Sequence, residues 1–165
     1  MTKVMDLMTP QVISIRATDS LSAAAQVMWQ QDCGIVPVLA EDGSRVVGVV
    51  TDRDICMATW SRNLAPSAIL VTDAMSTDLI YCSPNDSVAD AETLMRSHQI
   101  RRLPVLNGRS ELVGILSISD ITRAADLGAL SQTRLDVPVE HVIATLATIG
   151  TRPMLSANGA IASAE

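Results

Sequence analysis

Phenylalanine is absent from the 165 residues, and two tryptophans and one tyrosine make up an aromatic content of 2%. So few flat rings leave no row of stacking platforms for single-stranded nucleic acid. Positive charge is also scarce: 12 Lys and Arg stand against 18 Asp and Glu, a net charge of −6 with a pI near 4.8. An acidic chain cannot neutralise a track of phosphates, so no nucleic-acid partner is expected. Lys3 is the one lysine; a G-x-x-x-x-G-K-[ST] phosphate loop therefore cannot be written, and hydrolysis by that device is excluded. No apolar run reaches the length of about 18 residues that a membrane helix needs. The opening "MTKVMDLMTP" has no apolar core of a secretory leader, so a cytoplasmic chain with no membrane association is expected. Three cysteines, Cys33, Cys56 and Cys82, are odd in number, far apart and set in apolar stretches. They read as buried thiols in a reducing compartment. His98 and His141 lack partners at ligand spacing, so no metal site is expected. Neither G-x-S-x-G nor a histidine placed by motif beside a serine or cysteine is present, and no catalytic residue is assigned.

What the chain does have is 48% apolar content, enough for one sizeable core, and an internal duplication. Shifted by 67 residues, Val4 to Leu39 aligns with Val71 to Leu106 with 11 of 36 positions identical. Asp6 and Asp73, Met8 and Met75, Ile13 and Ile80, and "PVL" in both copies are among them. Beyond "PVL" the shift becomes 66, which a one-residue difference between two hairpin loops explains: "LAEDGSRVVG" against "LNGRSELVG", with Asp42, Gly43, Asn107 and Gly108 as turn formers. Each copy parses as a short strand (VISI or LIYC), a helix with apolar residues at i, i+3 and i+7 (Leu21, Ala24, Met28; Val88, Ala91, Met95), two strands and a second helix. A unit of about 60 residues buries too little surface alone, so the copies should pack on each other.

Two stretches carry candidate chemistry. "GVVTDRDI" at 48–55 ends a strand on Thr51 and sets Asp54 three residues on; "GILSISDI" at 114–121 does the same with Ser117 and Asp120. The pattern [ST]-x-x-[DE] is a capping box for a helix start. The same atoms permit a second chemistry: free N–H groups and the positive end of the helix dipole attract phosphate, and a carboxylate accepts from the vicinal hydroxyls of a ribose. Spacing leaves both readings open.

The methionine-containing openings, "VISI" and "LIYC", the "PVL" strands and the G-h-h-[ST]-x-x-D-I turns, twice in one order over residues 4–125, resemble a tandem pair of CBS domains. The resemblance implies an α+β fold of two β-α-β-β-α repeats, 4–60 and 71–125, packed about a pseudo-twofold axis. It also implies a non-catalytic regulatory module that holds an adenosine-containing ligand, AMP or ATP, between the repeats, with no cofactor required. Each cleft would join one repeat's turn to the other repeat's opening. The first takes Ser117, Ser119 and Asp120 with Arg101 and Arg102, and an adenine wall of Met8, Ile13, Cys33, Gly34 and Ile35. The second takes Thr51, Arg53 and Asp54 with Met75, Ile80 and Ile100, and a share of Arg101 or Arg102. Gly34-Ile35 stands where the other copy has the arginine pair, so the cationic supply is lopsided and the Asp120 cleft is expected to bind more tightly. S-adenosylmethionine or NAD would suit the same wall. A scaffold with empty clefts is the other reading.

Residues 126–165 lie outside the repeats. "DLGALSQ" reads as a linker, Asp136 and Pro138 start a helix with Val139, Val142, Leu146 and Ile149 on one face, and "MLSANGAIASAE" reads as a frayed tail. Like other CBS pairs, the module is expected to form a homodimer, through the second helices with Ile55, Met57 and Trp60, and Ile121 and Ala125; a regulatory module also implies a protein target.

Overall fold

Valine and isoleucine fill residues 35–39 and 46–51, and the intervening loop offers Asp42 and Gly43, so these segments fold back on each other. The computed structural model, which describes residues 1–130 and 137–150, pairs β3 (Ile35–Leu39) antiparallel with β4 (Val46–Thr51), Ile35 opposite Thr51. Gly43 takes a φ of 73° in the turn, where Asp42 Oδ1 accepts the Ser44 N–H at 2.9 Å. The second copy repeats the hairpin as β5 (Arg102–Leu106) and β6 (Leu112–Ser117), Arg102 opposite Ser117.

The strand expected at "VISI" is reduced to β2 (Ile15–Arg16), parallel to β3, and "LIYC" contributes a single bridge, Cys82 to Val105. Both are cut short by the same device. Asp19 Oδ2 accepts the Arg16 N–H at 2.7 Å and Asp86 Oδ2 accepts the Ser83 N–H at 2.7 Å. The backbone is drawn into a turn instead of a ladder, which accounts for an aspartate at both positions. Each turn delivers a serine cap: Ser20 accepts from Ala23 N–H at the start of α2 (Leu21–Gln30), and Ser87 from Asp90 N–H at the start of α4 (Val88–His98). The expected stripes Leu21, Ala24, Met28 and Val88, Ala91, Met95 are buried. The second helices, α3 (Asp52–Arg62) and α5 (Ile118–Leu130), follow β4 and β6 with no loop between. The linker expected from Asp126 is helical through Leu130; its remainder and the expected tail lie outside the described residues.

The repeats also exchange their leading segments, which periodicity does not reveal. The short helix α1 (Val4–Leu7) and β1 (Thr9–Pro10) cross to the second repeat, where β1 extends the sheet to β1-β6-β5. Val4 is fully buried in the second core, beside Met95 and Leu116. Reciprocally, Val71, in a 3-10 turn (Val71–Asp73), is fully buried in the first core with Leu21 and Val50. Ser76 exchanges two backbone hydrogen bonds with Val49 of β4, at 3.0 and 2.9 Å. The crossing segments pass directly over Gly48 and Gly114. A Cβ on Gly114 would lie 2.7 Å from Met8 Sδ and 2.9 Å from the Thr9 carbonyl oxygen, and one on Gly48 would run into the Ser76 carbonyl oxygen. These glycines are there for close backbone approach.

The C-terminal helix α6 (Val139–Gly150) docks on α4 and α5 of its own chain. Of the expected face, Val142 is buried and Ile149 packs on the core, whereas Val139 and Leu146 are exposed. The face is rotated by a polar anchor. Thr145, fully buried, accepts from Arg96 Nη1 at 2.7 Å and lies 3.2 Å from Oε1 of Glu92, itself 2% exposed. Replacing Thr145 by Val should leave those two groups short of a partner and lower unfolding free energy by about 1 to 2 kcal/mol, measured by urea denaturation. By covering α5, α6 also overturns part of the expected dimer surface: Ile121 and Ala125 are buried.

All three cysteines are free, but only Cys82 is buried; Cys33 is half-buried and Cys56 exposed. Cys56 sits on the solvent side of α3, so the expectation of three buried thiols fails there. Burial, aided by the charge of Asp86, pushes the Cys82 thiol up to about 12, which makes it a poor nucleophile.

Candidate functional site

Both [ST]-x-x-D turns are capping boxes in the structure. Asp54 Oδ2 accepts from the Thr51 hydroxyl at 2.7 Å and the Thr51 N–H at 2.9 Å, and Thr51 Oγ1 accepts the Asp54 N–H at 3.2 Å. Ser117 and Asp120 match these at 2.6, 2.9 and 3.2 Å. In each case one carboxylate oxygen makes the cap and the other is left over, so cap and binding group need not compete. Among the described residues, Asp54 Oδ1 accepts no hydrogen bond. Asp120 Oδ1 faces Arg123 Nη2 at 3.3 Å, a contact to a largely exposed side chain.

The helix N-termini offer less to an anion than their sequence promises. In the first turn of α3 the Asp52 N–H donates to the Gly34 carbonyl at 3.3 Å, Arg53 N–H to Asp52 Oδ1 at 2.7 Å, and Asp54 N–H to Thr51. Those donors are already engaged, so a phosphate near Thr51 has to be met by side chains. In α5 the Ile118 N–H is taken by the Arg101 carbonyl at 2.9 Å, and among the described residues the Ser119 N–H has no partner.

Two clefts lie between the repeats. The larger, of about 470 Å³, joins Thr51, Arg53 and Asp54 of the first repeat to Ile80, Ile100, Arg101 and Arg102 of the second. Ile35 completes its apolar lining, and Asp52 and Asp78 add acids that the sequence did not single out. Asp78 was missed because only the exchange of the leading segments carries it there. The smaller cleft, of about 240 Å³, joins Ser117 and Asp120 to Ile13, Cys33 and Ile35, with Arg102 and the unforeseen Asp32. An open trough of about 810 Å³ alongside shares Asp32, Cys33, Arg102 and Ser117 with the smaller cleft and adds Ser119, Gly34 and Arg101, walled by Trp29 and by Leu146 of α6.

Several assignments change. Met8 and Met75 line neither cleft; each packs over the glycine of the opposite turn, because close passage of the exchanged segment turns their side chains onto Gly114 and Gly48. Gly34, Arg101 and Ser119 do not line the Asp120 cleft. Gly34 and Arg101 line the Asp54 cleft and the trough, and Ser119 the trough alone. Arg101 and Arg102 both line the Asp54 cleft and the trough, and Arg102 lines the Asp120 cleft as well. The Asp54 cleft sets Arg53, Arg101 and Arg102 against Asp52, Asp54 and Asp78, and the Asp120 cleft sets Arg102 against Asp32 and Asp120.

With this duplicated architecture in place, the sequence profile of the CBS domain matches residues 4–60 and 71–126. The chain belongs to the CBS-domain family. Among curated relatives, the CBS domain-containing protein YhcV of Bacillus subtilis is 37% identical over 121 residues, 73% of this chain and 84% of its own. Hypoxic response protein 1 of Mycobacterium tuberculosis is 33% identical over 123 residues, 74% of this chain and 85% of its own. The crystal structure of Hypoxic Response Protein I, with two coordinated zinc ions, superposes with a TM-score of 0.67 at 33% identity, covering 74% of this chain and 98% of that one. That of CBSX2 in complex with AMP gives 0.67 at 24% identity, covering 78% and 99%, a likeness of fold. In this CBS pair, no group of three His, Cys, Asp or Glu suited to a metal occurs among the described residues. Among those residues no helix is long and apolar enough to cross a membrane.

Proposed function

We propose that this CBS pair is a regulatory module that binds an adenosine-containing ligand of the AMP or ATP type in the Asp54 cleft and does not turn it over. The supporting observation is the composition of that one cleft: an isoleucine wall for a base, the Asp54 carboxylate with an uncommitted oxygen for ribose hydroxyls, and three arginines for phosphate beside the acids Asp52 and Asp78. Its 470 Å³ falls in the range of about 300–1,000 Å³ usual for small-molecule sites, and the 240 Å³ of the Asp120 cleft falls below it. We read the Asp54 cleft as the tighter site, the reverse of the expected order. Arginines disfavour the sulfonium cation of S-adenosylmethionine relative to a phosphate, and NAD needs more room than a mononucleotide.

Ligand-dependent melting tests this reading. At a hundredfold excess over Kd, a nucleotide that binds only the folded pair adds about 2.7 kcal/mol, so AMP, ADP or ATP should raise the melting temperature by several degrees and guanosine or cytidine nucleotides by little. No shift with any adenosine compound would favour the scaffold with empty clefts.

For self-association, the open surface is α3, where Met57 is 48% and Trp60 76% exposed. We read it as the homodimer face of a cytoplasmic module. Light scattering at tens of micromolar should give twice the chain mass, and the Trp60→Glu variant the mass of one chain.

A further inference from the structure

Arg102 lines both the 470 Å³ and the 240 Å³ cleft. It can do so because it opens β5 opposite Ser117, at the seam where the two repeats meet. The matching residue of the first repeat, Ile35, opens β3 opposite Thr51 and also lines both clefts. The seam therefore has two equivalent positions, one cationic and one apolar, where symmetry would have supplied two cations.

The consequence follows from the charges on each side. The Asp54 cleft has Arg53 and Arg101 besides Arg102. The Asp120 cleft has Arg102 as its one lining cation, with Asp32 and Asp120 as lining acids. Arg123 is bound to Asp120 but does not line that cleft. A guanidinium makes its strongest contact as a planar fork toward one phosphate at a time. With Arg102 turned to the larger cleft, a second phosphate would face Asp32 and Asp120 with no lining cation, the exposed Arg123 being already engaged by Asp120 Oδ1 at 3.3 Å.

We propose that Arg102 is a shared anchor that couples the two clefts negatively: a phosphate-bearing ligand in the Asp54 cleft lowers the affinity of the Asp120 cleft for a second one. The inference rests on the adenosine reading given above. Coupling is reciprocal, and a factor of about ten is within the usual range. Adenosine, which carries no phosphate, makes no demand on the guanidinium and fills the clefts independently.

The test is a calorimetric comparison using AMP and adenosine. Two variants weaken the larger cleft in different ways: Asp54→Asn removes the carboxylate charge that faces the ribose, and Ile80→Trp fills its apolar wall. In either, AMP should bind the Asp120 cleft about tenfold more tightly than the second AMP binds the unaltered chain. In an Arg102→Gln background that ratio should fall below about threefold, and adenosine should show no such ratio in any variant. Equal AMP affinities with and without the larger cleft, or a tenfold ratio surviving in Arg102→Gln, would overturn the shared anchor while leaving the adenosine reading intact. Failure of both AMP and adenosine to bind the unaltered chain would overturn the two together.

Discussion

Replacing Gly48 with alanine should lower unfolding free energy by about 3 kcal/mol or more, the upper part of the range for overpacking a close contact. The added methyl would run into the backbone carbonyl of Ser76. A flexible side chain could swing aside, but this oxygen is fixed as the acceptor for the Val49 N–H at 3.0 Å. Relief therefore requires breaking the bridge between Val49 and Ser76, the point where the second repeat's leading segment joins the first repeat's sheet. Val71 lies only five residues before Ser76 and is fully buried in the first core, so displacement of the segment would also disturb packing around Leu21 and Val50. Gly114→Ala should be milder, because one of its two contacts is the thioether of Met8, an adaptable side chain. Urea denaturation with unchanged m-values would confirm the order; a Gly48→Ala variant as stable as the parent would mean that the exchanged segment is not held as described.

The second large effect is on binding. Asp54→Asn should weaken an adenosine nucleotide by about 10- to 150-fold, the loss of about 1.5 to 3 kcal/mol expected when hydrogen bonds to a charged acceptor are removed. The fold should hardly notice. Asn caps a helix nearly as well as Asp, so the stability change should stay under about 1 kcal/mol. This separation is possible because the cap uses Oδ2 of Asp54. Asp120→Asn should leave the tighter binding event within about twofold, since that carboxylate belongs to the smaller cleft and its Oδ1 already faces Arg123. Titration calorimetry on the two variants reads both effects. Loss of stability without loss of affinity in Asp54→Asn would reduce the residue to a helix cap.

The parts of this molecule that were legible in its sequence are those fixed by local pattern. The stripes ending at Met28 and Met95, the hairpin turns at Gly43 and Asn107, and the capping pairs Thr51/Asp54 and Ser117/Asp120 each follow from residues within one turn or one hairpin of each other. What stayed hidden depends on contacts between distant parts of the chain, such as Met8 with Gly114 and Met75 with Gly48. The exchange of leading segments leaves only an indirect trace, a glycine within each apolar strand, so the sequence alone does not show that Met8 and Met75 pack over Gly114 and Gly48 and not in the clefts. The same crossing brings Asp78 to the Asp54 cleft. Of the cationic pair, Arg102 lines both clefts, and Arg101 lines the Asp54 cleft and the trough beside Ser117. Arg101 lies just before β5 and Arg102 opens it, and their spacing does not say which cleft lies beneath each. In α6, the apolar pattern points to Val139 and Leu146, whereas the buried Thr145 and Glu92, with the half-buried Arg96, set the rotation. A polar anchor inside an apolar contact has no periodic signature.

The central claim, that the cleft between the repeats at Asp54 holds an adenosine nucleotide, is tested most directly by a crystal structure of the protein grown with saturating AMP. The account predicts density for the nucleotide in the larger cleft. The ribose hydroxyls should lie about 2.6–3.0 Å from Asp54 Oδ1, the base against Ile35 and Ile80, and the phosphate among Arg53, Arg101 and Arg102. A nucleotide ordered only beside Asp120, or an Asp54 cleft filled with solvent at saturating AMP, would contradict it.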